Sequence, residues 1–224
     1  MVFLHPHMKA TKLVPGVALL AGFFTASLFA NDAKSISYTD SAKVPTGGKV
    51  EGAVYTFVDP ADPAVADLAQ VGYKMIDFVG TKLVNETTRE LASRDTKEAV
   101  AILHLKDMPL PKTQPGQPKL TAVKRTSLHI REPKNTADGA DRAALLKISD
   151  QLTDEGTADK MLVQKIEQDG KLVEWRVYRP IAASKSCLAC HGDPTKFAPG
   201  VKEALDAQYP MDQAIDYSAQ AWRG

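Results

Sequence analysis

Cys187-Leu188-Ala189-Cys190-His191 sets two thiols three residues apart, with an imidazole directly after the second. C-x-x-C-H is the pattern to which haem c is attached: each thiol adds across a haem vinyl group, and the adjacent imidazole reaches the iron. These are the only two cysteines among 224 residues, which hold just five histidines. A histidine would follow a C-x-x-C by chance only about one time in 45.

A disulfide, half a zinc site and a thioredoxin-type redox pair are the competing readings. Structural zinc takes four ligands, usually from a repeated pattern, and the chain has no second C-x-x-C. A thioredoxin motif opens a helix after a strand in a βαβ unit and has no use for the following histidine. One covalent haem c is therefore the expected cofactor, with Cys187 and Cys190 as the thioether pair and His191 as the proximal iron ligand.

The sixth iron position has few candidates. Outside the N-terminal leader discussed below, His104 and His129 are the other histidines, and Met75, Met108, Met161 and Met211 are the thioethers. His104 sits in the apolar stretch Ala99-Val100-Ala101-Ile102-Leu103-His104-Leu105, where Val100, Leu103 and His104 share a helical face. A buried imidazole needs a partner, which iron or a backbone carbonyl would supply. Met108 lies one turn on, against Pro109. His129 alternates with Arg125, Ser127 and Arg131 on an expected strand, a polar face that is either solvated or a rim for the haem propionates. Arg125 and Arg131 are the candidate propionate contacts, because guanidinium pairs bidentately with carboxylate. His104 is the expected distal ligand, with His129 and Met108 as alternatives.

These residues need elements to hold them. Val65, Leu68, Val71, Met75, Phe78, Val79, Leu83 and Leu91 recur at helical spacing and predict a long amphipathic helix. Asp95-Thr96-Lys97-Glu98 has the capping-box spacing and predicts a second helix running to about Met108, since Pro109 disfavours helical backbone before it. Residues 109–118 hold four prolines and read as a loop. Leu120 to Ile130 alternates as a strand, and Gly139 to Leu152 predicts a helix. Met161–Ile166 and Leu172–Ile181 flank Gln168-Asp169-Gly170, a hairpin signal. The fold class is α+β, with a small antiparallel sheet and helices packed on it.

The N-terminus predicts export. Met8-Lys9-Ala10-Thr11-Lys12 is a basic start, the apolar run Leu13 to Ala30 follows, and the chain turns polar at Asn31-Asp32. We read residues 1–30 as a signal peptide cleaved after Ala30 rather than a membrane anchor, because Pro15, Gly16, Gly22, Thr25 and Ser27 interrupt the run. Met8 is the more natural start, and His5 and His7 fall in the leader. Residues 31–62 form an irregular arm with one strand at Val54–Val58, and 63–224 form the haem domain. Cleavage removes two lysines and no acidic group, so the chain stays near neutral and carries no nucleic-acid footprint. No later run approaches the about 20 apolar residues of a membrane span. The expected compartment is the periplasm, where haem c is attached.

With these residues in view, the chain resembles the PAS-like monohaem c-type family, a domain of unknown function found as standalone exported proteins and as sensor modules of histidine kinases and chemotaxis receptors. The matching stretches are Lys124-Arg125-Thr126-Ser127-Leu128 with Arg131-Glu132-Pro133-Lys134-Asn135, the attachment site through Gly192 and Pro194, and Tyr209-Pro210-Met211-Asp212 with Ala214. The resemblance implies a PAS-like antiparallel sheet flanked by helices over roughly residues 64–224. Some members carry an axial cysteine five residues before a proline, and His104 stands five residues before Pro109, which implies histidine in that role. Glu132 replaces a usual asparagine and His129 a common lysine. The family pattern continues past the stretch matching Ala221-Trp222-Arg223-Gly224 into a final strand, so either the sequence is truncated or its sheet lacks a strand that a partner would supply.

The expected function is one-electron transfer through a His-ligated haem between periplasmic redox partner proteins. The alternative is a redox or diatomic-gas sensor acting through a separate signalling protein. A peroxidase-like enzyme ranks behind both: it needs an open iron site and a distal acid-base group, which only His104 or His129 could supply. No Ser-His-Asp set, H-E-x-x-H or glycine-rich phosphate loop is present.

Overall fold

A computed structural model describes residues 2–5, 37–38, 52–103, 115–222 and 224. Six strands form one sheet in the order β2-β3-β5-β6-β1-β4, every pair antiparallel. They are β1 (Val2–His5), β2 (Ser37–Tyr38), β3 (Ala53–Val58), β4 (Lys119–Val123), β5 (Leu162–Gln168) and β6 (Lys171–Tyr178). The helices are α1 (Ala66–Ser93), α2 (Thr96–Ile102), α3 (Gly139–Asp154), α4 (Leu188–His191) and α5 (Val201–Gln208).

The β5–β6 hairpin is the centre of the sheet, and its turn is the predicted one. Asp169 and Gly170 both take positive φ, 51° and 72°, the left-handed pair that matches the twist of two-residue hairpins. Period-two alternation then assigns the faces. Leu162, Ile166 and Tyr178 join Tyr55 and Phe57 of β3 against Ala140, Ala143, Ala144 and Ile148 of α3. Val163 and Val177 point the other way, against Val65, Leu68, Ala69 and Val71 at the start of α1. The sheet is thus covered on both faces, and both cores follow from a single register.

Helix α1 is the expected long helix, but its apolar stripe is only half used. At 1.5 Å per residue its 28 residues run about 42 Å, whereas the longest strand, β6 at eight residues, spans about 26 Å. Beyond Val79 the helix outruns the sheet, and Phe78 and Val84 are 52% and 61% exposed. Among the described residues no helix is long and apolar enough to cross a membrane.

Two expectations are corrected. Helix α2 stops at Ile102, not near Met108, and Leu103 leaves helical backbone at φ −82°, ψ 82°. A seven-residue helix is held by packing rather than propensity, and within it only Ala99 and Val100 are buried. The predicted N-cap is present, with Asp95 accepting from the Glu98 amide at 2.7 Å. The strand expected over 120–130 ends at Val123. Lys124 reaches Asp141 at 2.6 Å and the Thr136 carbonyl at 3.1 Å, Thr126 donates to the Asn135 carbonyl, and the chain bends after Ser127. Those tertiary contacts displace the alternation, so His129, Arg125 and Arg131 do not share a strand face.

The strand expected in the arm is β3, which pairs along its length with β5 and is a full member of the sheet. Val2–His5 lies between β6 and β4.

Candidate haem-attachment site

After β6 the chain passes through a 3-10 turn at Lys185–Cys187 directly into α4, so that Cys187 caps the short helix and Cys190 and His191 lie on its last turn. Neither cysteine forms a disulfide, and both are half-buried. Cys190 packs with Phe197, Ala204 and Tyr209 around the buried trio Val100, Val201 and Leu205. This small third core joins α2, α4 and α5. Burial pushes the Cys190 thiol above its ordinary value, against the nearby Arg131 cation. Among the described residues no three His, Cys, Asp or Glu side chains gather as a metal cage.

The histidine is fixed by its neighbours. His191 Nδ1 lies 2.7 Å from the Ala214 carbonyl oxygen. That oxygen only accepts, so Nδ1 carries the proton and Nε2 keeps its lone pair for a metal. Tyr217 meets the imidazole edge-on, with ring centroids 6.4 Å apart. The segment after Ala214 is tied back to the attachment helix through the Asp216 amide on the Gly192 carbonyl and the Tyr217 amide on the His191 carbonyl. The donor set therefore fits a covalent haem: two unoxidised thiols at the attachment spacing, an imidazole with the right nitrogen free, and an apolar cluster beside them.

Arg131 is the second organiser. Its Nε donates to Asp212 Oδ2 at 2.9 Å, and its second terminal nitrogen donates to both the Cys190 and the Ala214 carbonyls. The guanidinium also lies 5.8 Å from the Tyr209 ring centre. Asp212 Oδ1 in turn accepts from the Ala214 amide. Compared with models of known protein families, residues 67–224 match the one described as Tll0287-like. The chain belongs to the Tll0287-like family. The family comprises monohaem c-type cytochrome-like proteins. Comparisons with curated proteins and with solved structures each gave no match.

In this Tll0287-like chain the matched span contains the whole attachment cluster and the Arg131 loop. The other sequence candidates are distributed unevenly. Met75 and Met161 pack into the core between α1 and the sheet, and Met211 is 74% exposed. His129 is exposed on the bend after Ser127, and Arg125 is half-buried beside it. His104 and Met108 lie outside the described residues. Helix α2, which leads to His104, packs against both α4 and α5. Sequence reasoning singled out both thiols and the imidazole, which the structure places together at α4, but not the Ala214 carbonyl, Asp212 or Tyr217 around them. Backbone carbonyls carry no side-chain signal, and only the grouping of Tyr209, Asp212 and Ala214 in one family pattern pointed toward them.

Proposed function

We propose that this protein carries one haem c, bound through Cys187 and Cys190 with His191 on the iron, and moves single electrons between partner proteins in the periplasm. The observation that carries the reading is the His191 Nδ1 hydrogen bond to Ala214, because it frees Nε2 on the same short helix that presents both thiols. The haem supplies a ferric/ferrous couple. That couple would let the protein take one electron from a reduced partner protein and pass it to an oxidised one, with no bond made or broken.

The chain's own residues keep that cycle closed. Val100, Val201, Leu205 and Phe197 exclude water beside Cys190. His104 is the proposed sixth ligand, since α2 delivers the chain beside α4; His129 and Met108 are the alternatives. Arg125 and Arg131 are the candidate propionate contacts; Arg131 also holds Asp212 and the Cys190 and Ala214 carbonyls. Two helix-covered faces on an antiparallel sheet support a PAS-like reading of the domain. The basic and apolar leader supports export with cleavage after Ala30.

The test is the reduced visible spectrum of protein matured with the cytochrome c assembly machinery, recorded with and without CO. A low-spin haem c spectrum indifferent to CO is expected. A CO-induced shift would overturn the closed carrier in favour of a sensor or an enzyme. His104→Ala should convert the low-spin spectrum to high-spin and open the iron to CO; an unchanged spectrum removes His104 from the role.

A further inference from the structure

Ala214 offers one carbonyl oxygen to two donors. His191 Nδ1 reaches it at 2.7 Å and Arg131 at 3.3 Å, and the same guanidinium nitrogen also holds the carbonyl of Cys190. Arg131 and Asp212 are 13% and 8% exposed and Ala214 is 6% exposed, so water screens this junction little. Asp212 is bound at both oxygens, one to Arg131 and one to the Ala214 amide. The Gln213 amide also donates to the Ile130 carbonyl, next to Arg131. The two loops are therefore locked in one register.

From this we infer that the Arg131–Asp212 pair is a positioning and tuning device for the proximal histidine, and that it sets the reduction potential of the site. The inference rests on the haem reading above. The acceptor of the outer ring N–H controls ligand basicity: a stronger acceptor gives the imidazole more anionic character and favours ferric iron. A cationic donor on the same oxygen draws off its electron density and weakens it as an acceptor. Arg131 thus limits the basicity of His191 and raises the potential, while the Asp212 carboxylate opposes that pull by neutralising the guanidinium. The two residues act with opposite sign on one atom.

The experiment compares wild type, Arg131→Gln and Asp212→Asn by haem quantitation and spectroelectrochemical titration. Arg131→Gln should lower the midpoint potential and Asp212→Asn should raise it. Each shift corresponds to up to about tenfold in the one-electron equilibrium, or about 59 mV. Opposite signs are the signature, because a merely structural role would loosen the loop in both variants and move both the same way. Should Arg131→Gln fail to yield holoprotein, Arg131→Lys, which keeps the charge, is expected to restore haem content and a potential near wild type, and Asp212→Asn carries the sign test alone. Haem-loaded variants with unchanged or like-signed potentials overturn the inference and leave the haem assignment standing. Wild type without covalent haem overturns the assignment itself, and the inference with it.

Discussion

At the scale of single residues, the proposal gives Cys187, Cys190 and His191 separable tasks. Replacing either cysteine by alanine leaves one thioether and should shift the pyridine haemochrome band to the red, while the double variant should lose all haem on a denaturing gel stained for haem. Retention of covalent haem in the double variant would contradict the assignment. A second prediction concerns the polar cluster beneath α3. Asp141 is fully buried and accepts from Arg176 at 2.8 Å and from Tyr178 at 3.3 Å, and Tyr178 donates to Gln164 at 2.8 Å. Burial, together with the Asp141 carboxylate, pushes the Tyr178 hydroxyl well above the ordinary tyrosine range, against the pull of Arg176. A raised folded pKa contributes stability that is fully present below the unfolded value of 10.0 and is lost as pH rises beyond it. Urea midpoints should therefore fall between about pH 8 and about pH 11, and fall less in Tyr178→Phe. Equal slopes would mean that the Tyr178 hydroxyl ionises alike in the folded and the unfolded chain.

At the scale of elements, packing overrules local preference in several places. Gly72 in α1 looks like a weak position for a helix, where alanine would ordinarily gain about 1 kcal/mol. Yet a Cβ built there would lie 2.5 Å from Val177 Cγ2, a buried side chain of the central strand β6. Gly72→Ala should destabilise the protein by about 1–3 kcal/mol, as overpacking does, and denaturant titration would check the sign. A stabilised variant would show that α1 shifts off the sheet easily. The two corrected elements have a related cause. Alternation over 120–130 was genuine in the sequence, but Lys124 leaves the strand for Asp141, a residue that no local pattern links to it. Helix α2 likewise packs on α4 and α5, which are distant in sequence. Where pattern and packing agreed, as in α1, α3 and the Asp169-Gly170 hairpin, the sequence reading was accurate.

At the scale of the whole molecule, export and fold meet at the N-terminus. Cleavage after Ala30 would remove Val2–His5, which pairs with β6 on one side and β4 on the other. The intact mass of the exported, haem-loaded protein is expected to begin at Asn31 and to include one haem. A mass retaining residues 1–30 would reject the proposed processing and keep Val2–His5 as a permanent strand. The proposed haem site does not include that strand, since its candidate residues come from α4, the Arg131 loop and the segment around Ala214.

The chain's sequence by itself singled out the candidate chemistry and most of the local elements. Covalent attachment demands a fixed covalent spacing, which is written in consecutive residues, and helices and hairpins announce themselves through periodicity and turn residues. Only the tertiary structure decided which carbonyl holds the His191 proton, that Arg131 shares it, and where β4 and α2 stop. Those outcomes depend on residues between 17 and 83 positions apart meeting in space. A backbone oxygen is the same at every position, so its role emerges only once folding has brought a donor to it.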